Sequence, residues 1–132
     1  MNDTKLKPSM SKSASPVHDL INIGLSIVGE VVDYRENEGD AANVLLFFKS
    51  IETELPNVIR NLHSQKEVEN AATSAAEIVA YDLSTRLEFF FQIVRPLENS
   101  STIVAAIDSV WSQSNALELE KRLNSVRALV TQ

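Results

Sequence analysis

Four pairs of closely spaced carboxylates have the type suited to general acid–base chemistry: Glu36 with Glu38, Glu52 with Glu54, Glu67 with Glu69, and Glu118 with Glu120. Two acids cooperate only when both reach one reacting centre. Side chains two positions apart on a helix point in different directions, so no pair converges by itself. They read as solvated faces or as first-turn acids near helix N-termini. Convergence of acids from separate helices is the remaining route to such a site.

The two histidines, His18 and His63, have no neighbour at H-x-x-x-H or E-x-x-H spacing, so they read as surface residues and not as metal ligands. Cysteine is absent, which removes disulfides, thiolate zinc sites and thiol nucleophiles. No glycine-rich phosphate loop and no G-x-S-x-G elbow occurs. The expectation is a protein that is not an enzyme and uses no cofactor or metal. A pocket between helices, near the small residues of the third helix, is the remaining place for a ligand.

The elements that would position any site are helices. Only three glycines and four prolines interrupt 132 residues, too few turn formers for a sandwich or barrel. Residues 1–15 are polar and are expected to form a disordered tail; residues 16–132 form the domain. Ser15-Pro16 is a helix start, and the first helix is expected from Pro16 to Tyr34. Its polar residues Asp19, Asn22, Ser26, Glu30 and Asp33 make one narrow stripe, and nearly everything else is apolar. Such a helix must be enclosed by neighbours, a partner or lipid. Gly24 and Gly29 are costly within it, which points to close approach of another helix.

Gly39 reads as a left-handed stop and Asp40 as the next cap. Ala41, Val44, Phe48, Ile51, Leu55, Val58 and Leu62 form the second seam, with Pro56 in it as a kink. Ser64 with Glu67 reads as the capping box of a third helix, whose seam runs from Val68 through Leu83 to Leu97. That seam is small at Ala71, Ala72, Ser74, Ala75 and Ala76 and bulky at Phe89, Phe90 and Phe91. A short fourth helix starts at Ser100 or Ser101 and carries Trp111 at its end; Asn115 with Glu118 caps a last helix through Leu119, Leu123, Val126 and Val130. The fold class is therefore all-α, an up-down bundle of four to five helices. Phe47-Phe48 and Phe89-Phe90-Phe91 spread over more than one helix face, so at least one ring of each cluster should leave the main seam.

From Leu83 to Val130 the layout is specific in order. Arg86-Leu87-Glu88 and Val94-Arg95-Pro96-Leu97-Glu98 lead to a short helix with Trp111. The break Ser112-Gln113-Ser114-Asn115 then precedes the helix Leu117-Glu118-Leu119-Glu120-Lys121-Arg122-Leu123-Asn124-Ser125-Val126. This stretch resembles the end of the HeLo-like four-helix domains, including those at the N-terminus of mixed-lineage kinase domain-like proteins. The resemblance implies a helical interaction module, an adaptor or cell-death and immune-signalling domain that self-associates through its apolar first helix. The interaction residues expected on that basis are Leu20, Ile23, Gly24, Ile27, Val28, Gly29 and Val31, with Phe89, Phe91 and Trp111 as candidates for an apolar patch. Membrane-active members carry basic patches, whereas this first helix has no Lys or Arg.

A net charge of −6 opposes binding to nucleic acid, leaving protein partners or self-association. The same charge disfavours contact with anionic membranes. The apolar run Leu20–Gly29 is too short to span a bilayer and is not followed by a cleavage site. The expected location is intracellular, cytoplasmic or at a membrane periphery. A stand-alone helical scaffold that binds partners without membrane activity is the alternative reading.

Overall fold

The computed structural model describes residues 15–37, 39–65 and 70–130. These form five α-helices: α1 (Pro16–Asn37), α2 (Ala41–Ser64), α3 (Ala71–Val94), α4 (Ser100–Val110) and α5 (Gln113–Val130). No strand occurs among the described residues, and the fold is the all-α bundle that the helical periodicities predict. The tail expected over residues 1–15 lies, up to residue 14, outside the described residues.

Helix α1 packs against α2, α3 and α5, while α4 closes over α2 and α3. Val17, Leu20, Ile21, Ile23, Ile27, Val28 and Val31 are all buried, so the nearly all-apolar helix is a core helix enclosed by its own bundle. Gly24 shows how close the packing is. A Cβ built there would lie 2.5 Å from Leu123 Cδ1 and 2.8 Å from Cδ2, so α5 seats on the missing side chain. Gly29 differs from expectation: it is exposed, and nothing lies within 4 Å of its would-be Cβ. With no neighbour to accommodate, Gly29→Ala should stabilise the domain by about 0.5–1 kcal/mol through helix propensity alone. A rise in the urea midpoint at unchanged slope checks this.

Several boundaries are set by side chains other than those the sequence suggests. Helix α1 runs on to Asn37, and Gly39 does not adopt a left-handed φ. Its N–H instead bonds back to the Tyr34 carbonyl at 3.3 Å, closing the turn beside the Tyr34 ring. Asp40 caps α2 as predicted, accepting from the Ala42 N–H at 2.9 Å. Pro56 is exposed, not part of the seam, so the backbone bond it removes lies on the wet side and α2 stays one continuous helix. Ser64 does not open α3. It ends α2, and its hydroxyl donates to the Asn61 carbonyl at 2.8 Å. Asn70 caps α3, accepting from the Thr73 N–H at 2.9 Å, while Glu67 and Val68 lie outside the described residues. Leu97, placed at the end of the α3 seam by periodicity, is exposed because the helix stops at Val94. Asn99 caps α4, accepting from the Thr102 N–H at 2.8 Å. Helix α5 starts two residues before Asn115, with the Ser112 hydroxyl accepting the Asn115 N–H at 3.2 Å.

The bulky half of α3 builds an aromatic centre. Phe48 from α2 lies 4.5 Å from Phe90 and stacks on Trp111 at 5.6 Å between centroids. Phe91 meets Phe90 edge-on at 5.2 Å. Trp111 is held there because three helices grip the end of α4. Arg35 of α1 donates to the Trp111 carbonyl, and Arg86 of α3 and Asn115 of α5 each donate to the Val110 carbonyl at 3.2 Å. Two guanidinium groups thus satisfy carbonyls that the helix terminus leaves open, and they complement its negative dipole end.

Candidate functional site

Helix α3 buries one face and exposes an uncharged one that carries three large apolar side chains. Ala72, Ala76, Val79, Leu83, Leu87, Phe90 and Val94 turn into the core. On the opposite side Ser74, Ile78, Tyr81, Thr85, Phe89 and Gln92 follow one another at spacings of three and four, which lines them on one stripe. None is charged. Ile78 is 66% exposed, Tyr81 76% and Phe89 52%. Asp82 and Arg86 run along one edge as an ion pair at 3.1 Å, and Glu77 and Glu88 along the other. Three large apolar side chains thus stand in water along about three turns of one helix face.

The stripe continues into the furrow between α2 and α3. There Ile59, Leu62, Ala80, Tyr81 and Ser84 line a shallow pocket of about 240 Å³, closed at one end by His63 and Glu77. His63 Nδ1 lies 3.1 Å from Glu77 Oε2. Farther along the same furrow, Arg95 binds both carboxylate oxygens of Glu52, at 2.8 and 2.6 Å, and lies over the Phe91 ring with 4.5 Å to the centroid.

Of the paired carboxylates, Glu52 and Glu54 diverge as helix geometry requires, while Glu38, Glu67 and Glu69 lie outside the described residues. Glu52 reaches toward α3 and Arg95, whereas Glu54 faces a cleft of about 460 Å³ between α1 and α2. That cleft is lined by Asp19, Asn22, Ser26, Ser50, Asn57 and Asn61 among others. Partial burial raises the Asp19 carboxyl above its ordinary range, opposed by the charge of His18. Glu118 pairs with Arg122 at 3.5 Å on the surface of α5. Among the described residues no cluster of His, Asp and Glu could hold a metal ion. No helix among them is long and apolar enough to cross a membrane.

Of the interaction residues expected from sequence, Leu20, Ile23, Gly24, Ile27, Val28, Val31, Phe91 and Trp111 are buried, and only Gly29 and Phe89 reach the surface. Phe89 is the ring of its cluster that leaves the seam; Phe90 and Phe91 stay inside. Ile78 and Tyr81 were not singled out by sequence reasoning. Stepping back from Phe89 by four, four and three residues through Thr85 reaches both without meeting a charge, and that absence is the signal that was there to read.

In comparisons with known proteins, no family model matches the chain, and neither a curated protein nor a solved structure matches it.

Proposed function

We propose that this chain is a non-enzymatic helical interaction module, with α1 as its core and the uncharged face of α3 as its docking surface for a protein partner. The observation that carries this reading is the alignment of Ile78, Tyr81 and Phe89, exposed on one stripe that is free of charge. It is the stand-alone partner-binding reading of the sequence with its surface named.

The reading implied by the HeLo-like resemblance, self-association through α1, requires that helix to leave the bundle. Seven aliphatic side chains of α1 would return to water. At roughly 1.5–3 kcal/mol each this costs on the order of 10–20 kcal/mol, as much as the whole stability of a typical domain. Release of α1 is then equivalent to unfolding, whereas the α3 face is available without rearrangement. An adaptor or signalling role remains compatible with docking on α3.

The test places a photoreactive residue at Ile78 or, as control, at the exposed Asn124 on α5, in chains with and without Phe89→Glu. Protein adducts are expected at position 78, not at 124, and are expected to vanish with Phe89→Glu while helical content stays unchanged. Equal labelling at both positions, labelling indifferent to Phe89→Glu, or none at all overturns the assignment.

A further inference from the structure

We infer that the pocket in the furrow between α2 and α3 binds a primary alkylammonium group, with Glu77 as its anion and the apolar wall as the seat of the alkyl chain. The inference goes beyond the docking reading. It rests on the furrow and not on the outer stripe, and Tyr81 is the residue that the two share.

Helix spacing brings the pocket's groups together. Ile59, Leu62 and His63 recur at three and four on α2, and Glu77, Ala80, Tyr81 and Ser84 do so on α3, so each set shares one face. Between them they line about 240 Å³. An apolar cavity of ~150 Å³ already holds a benzene ring, so a short alkyl chain fits by volume. Glu77 and Ser84 lie two turns apart, about 10 Å, which gives such a chain room along the helix axis.

Leu62 and Ala80 make the buried wall, and the charged end belongs to Glu77. Glu77 Oε2 is buried and has no hydrogen-bond partner. Among the described residues it is the only buried side-chain acceptor left without a donor, since the other orphaned atoms, Arg35 Nη1 and Trp111 Nε1, are themselves donors. His63 Nδ1 stands 3.1 Å away but forms no hydrogen bond to it, and the His63 side chain is 59% exposed. A carboxylate oxygen held out of water without a donor is unfavourable, and no Lys or Arg lines the pocket to relieve it. An ammonium supplies the missing donor as a point charge while its stem covers Ile59 and Leu62. A guanidinium is the poorer match, because its fork takes two oxygens in one plane, as Arg95 takes both oxygens of Glu52 farther along the furrow. The net charge of −6 draws a cation toward the site and repels an anion. A free alkylamine and a lysine side chain both present this chemistry.

NMR titration of the full chain tests the site with n-hexylammonium as the probe and n-hexanol and hexanoate as matched controls. Hexylammonium should shift the amide signals of Leu62, Ala80 and Tyr81 saturably, with a dissociation constant on the order of millimolar for so small a ligand. Glu77→Gln keeps the shape and removes the charge, so it should weaken binding about tenfold or more with unchanged circular dichroism. Nα-acetyl-lysine methylamide separates the two sources: binding as tight as that of hexylammonium points to a lysine side chain, and its exclusion to a free amine. Hexanol binding as tightly as hexylammonium, or binding indifferent to Glu77→Gln, overturns the inference. So does the absence of shifts, which leaves the Glu77 oxygen to a water, and so do shifts centred on Asp19 and Glu54 in the cleft between α1 and α2. None of these results touches the docking reading, which stands or falls with labelling at position 78.

Discussion

Ile27→Asp should abolish the folded domain at neutral pH. Ile27 is 1% exposed in the middle of α1, surrounded by helices on three sides. Removing the aliphatic side chain costs about 2–5 kcal/mol, and the carboxylate that replaces it must either desolvate or take up a proton, adding several kcal/mol. The sum approaches the ~5–15 kcal/mol that holds a domain of this size together. The sign of the pH dependence follows from burial. The new carboxyl would have a folded-state pKa above its unfolded value, so the native state binds more protons and the penalty shrinks as pH falls through that folded pKa. Loss of the cooperative urea transition at neutral pH, with partial return under mild acid, is the expected pattern. A well-folded Ile27→Asp protein would mean that α1 is not the core helix, and would restore it as a deployable interaction element.

Trp111→Ala should cost about 3–5 kcal/mol, the range for emptying a large aromatic site. The ring stacks on Phe48 and is 1% exposed, and the backbone around it is fixed by Arg35, Arg86 and Asn115, which leaves little room to collapse into the space. Trp111→Phe should cost much less, because the indole N–H is buried without a protein acceptor and its loss breaks no hydrogen bond. Chemical denaturation followed by circular dichroism measures both. The wild-type protein supplies its own reporter as well, since Trp111 is the only tryptophan and its emission should shift to the red as the aromatic centre opens. Equal destabilisation by the two substitutions would contradict the account of the site.

The division between sequence and structure follows the range of the interactions involved. Fold class and most of the core were legible because helical periodicity is local: the seam Val44, Phe48, Ile51, Leu55, Val58 and Leu62 is buried as read. Caps were read less well. Serine, asparagine and aspartate all compete for exposed helix ends, and Ser64 could either start a helix or end one. Asn70 won at α3 because α2 extends to Ser64 before the chain turns.

Sequence by itself determined that four to five segments would coil into helices, that the first was too apolar to stand in water, and that no cysteine or clustered histidine chemistry was present. Only tertiary packing decided which partner each apolar face received. Gly24 and Gly29 look alike along the chain, yet one holds Leu123 against the backbone and the other faces open space. Likewise α1 and α3 both carry more apolar surface than one seam needs; α2, α3 and α5 enclose the first, while the outer stripe of the second remains uncovered. Apolar residues specify burial without naming a neighbour, because the hydrophobic effect has no direction, and so the choice of surface is made by how the helices assemble.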